Sequence, residues 1–133
     1  LVGSEMCIRD RIGTRFALTE ESSASPVFKD YCLSLGEGDT KLLLKKLAPT
    51  RLVKNAFREA VEKAEDSGAS AEDLRTLLGR GRAKKGIFEG DLEEGELEIG
   101  QVSAIISRRQ SVAEVMDELV AAYQRAAKKD YLF

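Results

Sequence analysis

The sequence predicts an α/β fold in which the end of a sheet is followed by a mostly helical appendage. Two observations predict it. About three stretches carry apolar residues at helical spacing, against one or two strand candidates, an unbalanced inventory for a self-contained α/β domain. The glycines Gly79, Gly81, Gly86, Gly90, Gly95 and Gly100 then break the second half into loop or interrupted helix.

The first element is set aside. Leu1-Val2-Gly3-Ser4-Glu5-Met6-Cys7-Ile8-Arg9-Asp10 resembles the conceptual translation of a transposon-type sequencing adapter, and Arg11 fits a junction codon. Native sequence is therefore expected to begin near Ile12. Ile12-Gly13-Thr14-Arg15-Phe16-Ala17-Leu18 reads as the end of a buried strand, followed by a turn rich in Thr, Glu and Ser. Ser25-Pro26 gives a helix start, with Ser as N-cap and Pro at the first helical position. Val27, Phe28, Tyr31, Cys32 and Leu35 supply its apolar face, and Gly36 stops it. Residues 40–47 are a strand candidate, but Leu42-Leu43-Leu44 does not settle the period, and Pro49 breaks the segment.

Phe57, Ala60, Val61 and Ala64 fall at i, i+3, i+4, i+7, with Glu59 and Lys63 as an exposed pair, and Gly68 ends that helix. Ser70-Ala71-Glu72-Asp73 resembles a capping box for a short helix through Leu78. Residues 101–106 form a short apolar element. Ser111-Val112-Ala113-Glu114 is a capping box opening a last helix, whose Val112, Val115, Met116, Leu119, Val120 and Tyr123 make one stripe in need of a partner surface. Met116 and Tyr123 are expected in the core by this spacing. The chain thus divides into residues 1–11, not native; 12–36, strand and following helix; 37–110, a mostly helical small domain; and 111–133, the C-terminal helix.

Composition excludes several functions. The net charge of −2, with both signs interspersed, gives no electrostatic case for a nucleic-acid partner. No apolar run approaches the roughly 20 residues of a membrane span. With Cys7 set aside, Cys32 alone remains, which rules out an internal disulfide and suits a reducing, cytoplasmic location. The chain has no histidine, so Ser-His-Asp and Cys-His catalysis are impossible within it and zinc loses its usual nitrogen ligand. No catalytic residue and no metal site is expected in this segment.

Among the motifs, Gly13-Thr14-Arg15-Phe16 has the chemistry of a phosphate contact. Glycine lets the backbone approach an anion, and threonine supplies an amide and a hydroxyl. Residues 79–86 are glycine-rich and basic but miss both G-x-G-x-x-G, with Lys84 at the third glycine, and the P-loop, with Ile87 after Gly86. They read as a solvated basic surface. The acidic run of residues 91–98 lacks a ligand at the fifth position of a calcium loop, where Gly95 sits, and reads as an exposed turn. Cys32, on an apolar stripe, reads as a small buried hydrophobe.

The ordered series "GTRF-A-L-T-E-E-S", "D-T", "P-T-R-L-V-K-N", "F-E-G-D" and "G-Q-V-S-A-I-I", with a closing helix, resembles the C-terminal third of the nitronate monooxygenase (2-nitropropane dioxygenase) family. That family includes the related flavin-dependent enoyl-acyl-carrier-protein reductases. The resemblance runs from Ile12 to about Arg125.

It implies a TIM-barrel, (β/α)8, flavoprotein with FMN at the C-terminal ends of the strands. Residues 12–36 would hold strand eight, and the last helix would return to the barrel. The family's Gln-x-Gly-Thr motif, which helps hold the FMN phosphate, is matched by Ile12, Gly13 and Thr14, with Arg11 at the Gln position. Its later Gly-Gln pair near the flavin is matched by Gly100 and Gln101, with Ile99 where Ala is common. The catalytic histidine and a Gly-Gly phosphate loop would lie upstream, in a missing N-terminal barrel of the same chain. The implied activity is oxidation of alkyl nitronates with O2. The alternative is FMN- and NAD(P)H-dependent reduction of an enoyl thioester, and either substrate is a small molecule. A non-enzymatic helical interaction module is the alternative from another class.

Overall fold

The computed structural model describes residues 12–127. The segment expected to be non-native, residues 1–11, and residues 128–133 lie outside the described residues.

The first element departs from the expected strand end. Helical turn α1 (Thr14–Ala17) follows Gly13, whose carbonyl accepts from the Ala17 N–H at 2.9 Å. Among the described residues no strand pairs with residues 12–18. Local helical bonds therefore satisfy this backbone, which a solitary strand would leave unpaired.

Helix α2 (Pro26–Leu33) starts as the sequence predicts, with the Phe28 N–H donating to Ser25 Oγ at 3.2 Å and Pro26 at the first turn. It ends before Gly36. Phe28, Cys32 and Leu35 are buried, whereas Val27, expected on the same face, is 51% exposed. Lys29 is buried in its place, and its Nζ donates to the carbonyls of Glu20 and Ser22 at 3.1 and 2.7 Å.

Strands β1 (Thr40–Leu43) and β2 (Thr50–Val53) form an antiparallel hairpin with Thr40 opposite Val53 and Leu43 opposite Thr50. The ambiguous leucine triplet resolves here. Leu42 faces outward and Leu43 inward, and Leu44 takes a left-handed φ of 56°, which ends the strand while keeping its side chain buried. A single bridge, Leu52 to Glu98, and the Val53 N–H donating to the Leu97 carbonyl at 2.9 Å tie residues 97–98 to the free edge of β2.

Helix α3 (Ala56–Asp66) is capped by Asn55, whose Oδ1 accepts from the Arg58 N–H at 2.8 Å and whose Nδ2 donates to the carbonyls of Leu92 and Gly95. Its i, i+4 ion pair is Arg58 with Glu62 at 3.5 Å, where the sequence predicts Glu59 with Lys63. Helix α4 (Ala71–Leu78) has the predicted capping box between Ser70 and Asp73 and ends at Gly79, φ 66°.

The stretch read as a solvated basic surface is partly structural. Arg82 lies 4.5 Å from the Phe57 ring centroid and donates to the carbonyls of Leu77, Leu78 and Glu94. It closes the C-terminal turn of α4, where helix carbonyls lack partners. A π-helical turn, Lys84–Phe88, then brings Gly86 against Gly95 backbone to backbone: a Cβ on Gly95 would overlap the Asp91 carbonyl and Gly86 itself. The acidic run, read as an exposed turn, is exposed only in part: Glu93, Glu94 and Glu98 face solvent, whereas Gly95, Glu96 and Leu97 are buried, and Asp91 Oδ1 accepts from the N–H groups of Glu93 and Glu94.

A 3₁₀ turn (Gln101–Ile105) leads to helix α5 (Val112–Ala127), whose capping box between Ser111 and Glu114 forms as predicted. Glu21 accepts from the Val112 N–H at 2.9 Å. Glu118 accepts from Arg15 at 2.8 Å, Arg108 at 2.9 Å and Gln110 at 2.6 Å. Arg15 also donates to Gln110 Oε1. These contacts pin the first two turns of α5. Its predicted apolar stripe is not core: Val115 is buried, but Met116 and Tyr123 are 46% and 74% exposed. Spacing marks which residues share a face, but a face is buried only when something covers it, and nothing among the described residues covers this one.

The core has two clusters. One joins Leu18, Phe28, Cys32 and Leu35 to Val53, Leu97, Ile99 and Ile106. The other joins Leu43, Leu44 and Leu52 to Phe57, Val61 and Leu74. No helix of the described residues is long and apolar enough to cross a membrane.

Candidate functional site

Two segments remote in sequence meet at the start of α1. The Gly100 N–H donates to Thr14 Oγ1 at 3.0 Å. The Thr14 hydroxyl oxygen is thus the acceptor in this bond, which leaves its own proton available to a ligand. Gly100 must be small here, because a Cβ at that position would overlap Thr14 Oγ1. Gly13, by contrast, has open space where its Cβ would lie.

The hairpin positions this meeting. Bonding of Val53 to Leu97 fixes residues 97–99 beside β2, buries Leu97 and Ile99, and delivers Gly100 to α1. A cleft of about 400 Å³ results, lined by Thr14, Ala17, Arg51, Glu98, Ile99 and Gly100. Gln101, exposed at the head of the 3₁₀ turn, lines a neighbouring cleft of about 390 Å³ with Gly36, Gly38 and Thr40. Of the four expected flavin-binding residues, Thr14 and Gly100 are therefore in contact, Gly13 adjoins them, and Gln101 stands one cleft away.

Sequence reasoning missed two charged residues of the first cleft. Arg51 is half-buried on β2, and its Nη1 donates to Thr40 Oγ1 at 3.2 Å. Glu98 shares the cleft, and partial desolvation pushes its carboxyl above the ordinary 4.5. Burial, reinforced by the neighbouring Glu98, also raises Glu96. No signal in the sequence singled out Arg51, because burial along β2 does not alternate: Leu52 and Val53 are both buried. The bridge carrying Glu98 had no signal in the sequence.

Cys32 is fully buried, and burial pushes its thiol up to about 12, so it is no nucleophile at neutral pH. An apolar groove lies elsewhere. Ile12, Val102, Ile105 and Leu119 line a groove of about 530 Å³ between the 3₁₀ turn and α5, and the uncovered part of the α5 stripe continues from it.

A family model described as nitronate monooxygenase matches residues 10–122. The chain is similar in structure to FabK from Thermotoga maritima, with a TM-score of 0.72 and 27% identity over 88% of this chain and 37% of that one. A point variant of the same protein gives a TM-score of 0.69 and 23% identity, over 88% of this chain and 34% of the other. No curated protein sequence matches. The chain spans about a third of the length of the solved structures it resembles.

Proposed function

The chain belongs to the nitronate monooxygenase family of flavin-dependent oxidoreductases, and from that premise we propose that it is the C-terminal part of a soluble, cytoplasmic FMN enzyme built on a (β/α)8 barrel. The reaction we assign is oxidation of a small alkyl nitronate by O2. The observation that carries the reading is the bond between Thr14 and Gly100, which joins the two segments expected to hold the flavin.

The donors present suit the phosphate end of FMN. Thr14 has a hydroxyl proton to give, Gly13 has open space beside its backbone, and Arg51 brings positive charge to the same cleft. Gly13 and Thr14 would hold the phosphate, with Gly100 and Gln101 bordering the flavin. When bound, FMN would accept electrons from the nitronate and pass them on to O2. The residues of this chain bind and orient it, and the base that handles the substrate proton lies upstream. The uncovered stripe on α5 and the groove beside it support the same reading, because a lobe seated on a larger body leaves such a face open when alone.

The test uses the protein encoded by the complete reading frame. It is expected to purify with one FMN per chain and to consume O2 with an alkyl nitronate, whereas the 133-residue chain alone should bind FMN poorly and be inactive. Turnover of an enoyl thioester with NAD(P)H, in place of nitronate oxidation, would assign the reductase activity of the family. A complete protein that holds no flavin would sink the proposal and leave the interaction module.

A further inference from the structure

Helical turn α1 has little of its own to hold it. Its four residues fall well short of the length at which a helix sustains itself. None of them is buried, and among the described residues no side chain caps its N-terminus. Its orientation is therefore set from outside, on two sides. Thr14 and Arg15 point about 100° apart around the helix axis. On one side the Gly100 N–H reaches Thr14 Oγ1 at 3.0 Å. On the other, Arg15 Nη2 donates to Gln110 Oε1 and to Glu118 Oε2, the latter at 2.8 Å.

Gln110 is the fixed point of the second side. It is a buried polar residue, 2% exposed, and both ends of its amide are engaged. Oε1 accepts from Arg15, and Nε2 donates to Glu118 Oε1 at 2.6 Å. Only this orientation of the amide sets an acceptor against the guanidinium and a donor against the carboxylate. Its backbone is held as well. The Gln110 carbonyl accepts from the Glu20 N–H at 3.0 Å, and Ser111, next in the chain, caps α5. Arg109, just before it, donates to the Pro26 carbonyl at 3.2 Å, at the start of α2. Gln110 thus sits where α2, α5 and the segment before α2 converge, and one guanidinium nitrogen carries that frame to α1.

We propose that Gln110 is a positioning residue for the Thr14–Gly100 contact, acting through Arg15. By fixing the guanidinium it fixes the rotation of α1, and with it the place of Thr14 in the wall of the cleft. The proposal rests on the flavoprotein reading for what the cleft holds, but not for the coupling itself.

The test follows amide exchange in the 133-residue chain at Gly100, with Val61 reporting on the molecule as a whole. Gln110→Met removes both amide contacts at similar length. It should lower protection at Gly100 at least about tenfold more than at Val61. Arg15→Met should do the same, and the double variant should do no more than either alone, since both cut one connection. Gln110→Glu keeps an acceptor for Arg15 and should recover most of the protection, although it sets a second carboxylate beside Glu118. A merely structural Gln110 would lower Gly100 and Val61 alike. That outcome, or additive effects of Arg15→Met and Gln110→Met, would overturn the proposal. Where Gln110→Met does not fold, the other two single variants decide: Gly100 must loosen in Arg15→Met and hold in Gln110→Glu.

In the protein encoded by the complete reading frame, Gln110→Met should weaken retention of FMN but not of riboflavin, and added FMN should restore turnover. A complete protein without flavin, with Gly100 still answering to Gln110, would sink the flavoprotein reading and leave the positioning role standing. Full flavin retention with Gly100 indifferent to Gln110 would do the reverse.

Discussion

The Gly100 N–H and Thr14 Oγ1 lie 3.0 Å apart across 86 residues of sequence. Two effects are superposed in this pair, a hydrogen bond and a close approach that only glycine permits. Thr14→Ala removes the bond and should cost about 1 kcal/mol. Gly100→Ala keeps the bond donor but drives a methyl into the threonine oxygen, at a cost of about 1–3 kcal/mol. In the double variant the methyl has room, so the two costs should fall short of their sum. Urea denaturation of the four proteins measures the coupling, and strictly additive costs would contradict the contact.

Gly95 and Gly13 should respond oppositely to the same change. A Cβ on Gly95 would meet main-chain atoms, including Gly86 N at 2.7 Å, and main chain cannot rotate away. Gly95→Ala should therefore cost more than about 3 kcal/mol, at the far end of single substitutions. Gly13→Ala meets nothing within 4 Å and should change stability by less than about 0.5 kcal/mol. In the complete protein, however, it should lower flavin content. Thermal melts and the flavin absorbance ratio read the two effects separately.

Arg82 is expected to behave as a packing residue. Arg82→Met keeps much of the aliphatic stem but loses the contact with Phe57 and three carbonyl bonds, and about 2–3 kcal/mol of stability with them. Arg82→Lys should recover little, because an ammonium cannot span the carbonyls of Leu77, Leu78 and Glu94. Full recovery by lysine in chemical denaturation would reduce Arg82 to a surface charge.

Acid should loosen α5. The Gln110 side chain, then Arg108 and Arg15, hold the Glu118 carboxyl below its ordinary 4.5. A depressed folded value means the unfolded chain takes up the proton first. The contribution of Glu118 is thus complete above pH 4.5 and is lost as pH falls through the folded value. Glu96 and Glu98, raised by burial, carry the opposite slope, so the comparison must be by difference. Glu118→Gln should be less stable than the parent at pH 7, with the gap closing toward pH 3. A gap independent of pH would remove the ionised carboxylate from the anchoring of α5.

Local chemistry was legible and long-range pairing was not. The caps at Ser25, Ser70 and Ser111 rest on hydrogen bonds spanning three residues, and spacing alone revealed them. Thr14 and Gly100 were reached through a family resemblance, and their contact is a matter of tertiary structure. Arg51 looked like any strand residue, since its setting depends on the bridge between Leu52 and Glu98. Met116 and Tyr123 misled because periodicity describes a helix face and says nothing of its cover.

The two hydrophobic clusters differ in how far apart along the chain their members lie. The one around Phe57 draws on residues 43–74, whereas the one beneath the cleft must gather residues 18–35, 53 and 97–106. Closing long loops costs entropy before any contact repays it, so the compact cluster can form first and the dispersed one last. Run in reverse, the same order makes the Thr14–Gly100 region the first to open. Amide exchange should be faster at Gly100 than at Val61, giving the Thr14–Gly100 side of the molecule a local stability below that of the hairpin it rests on.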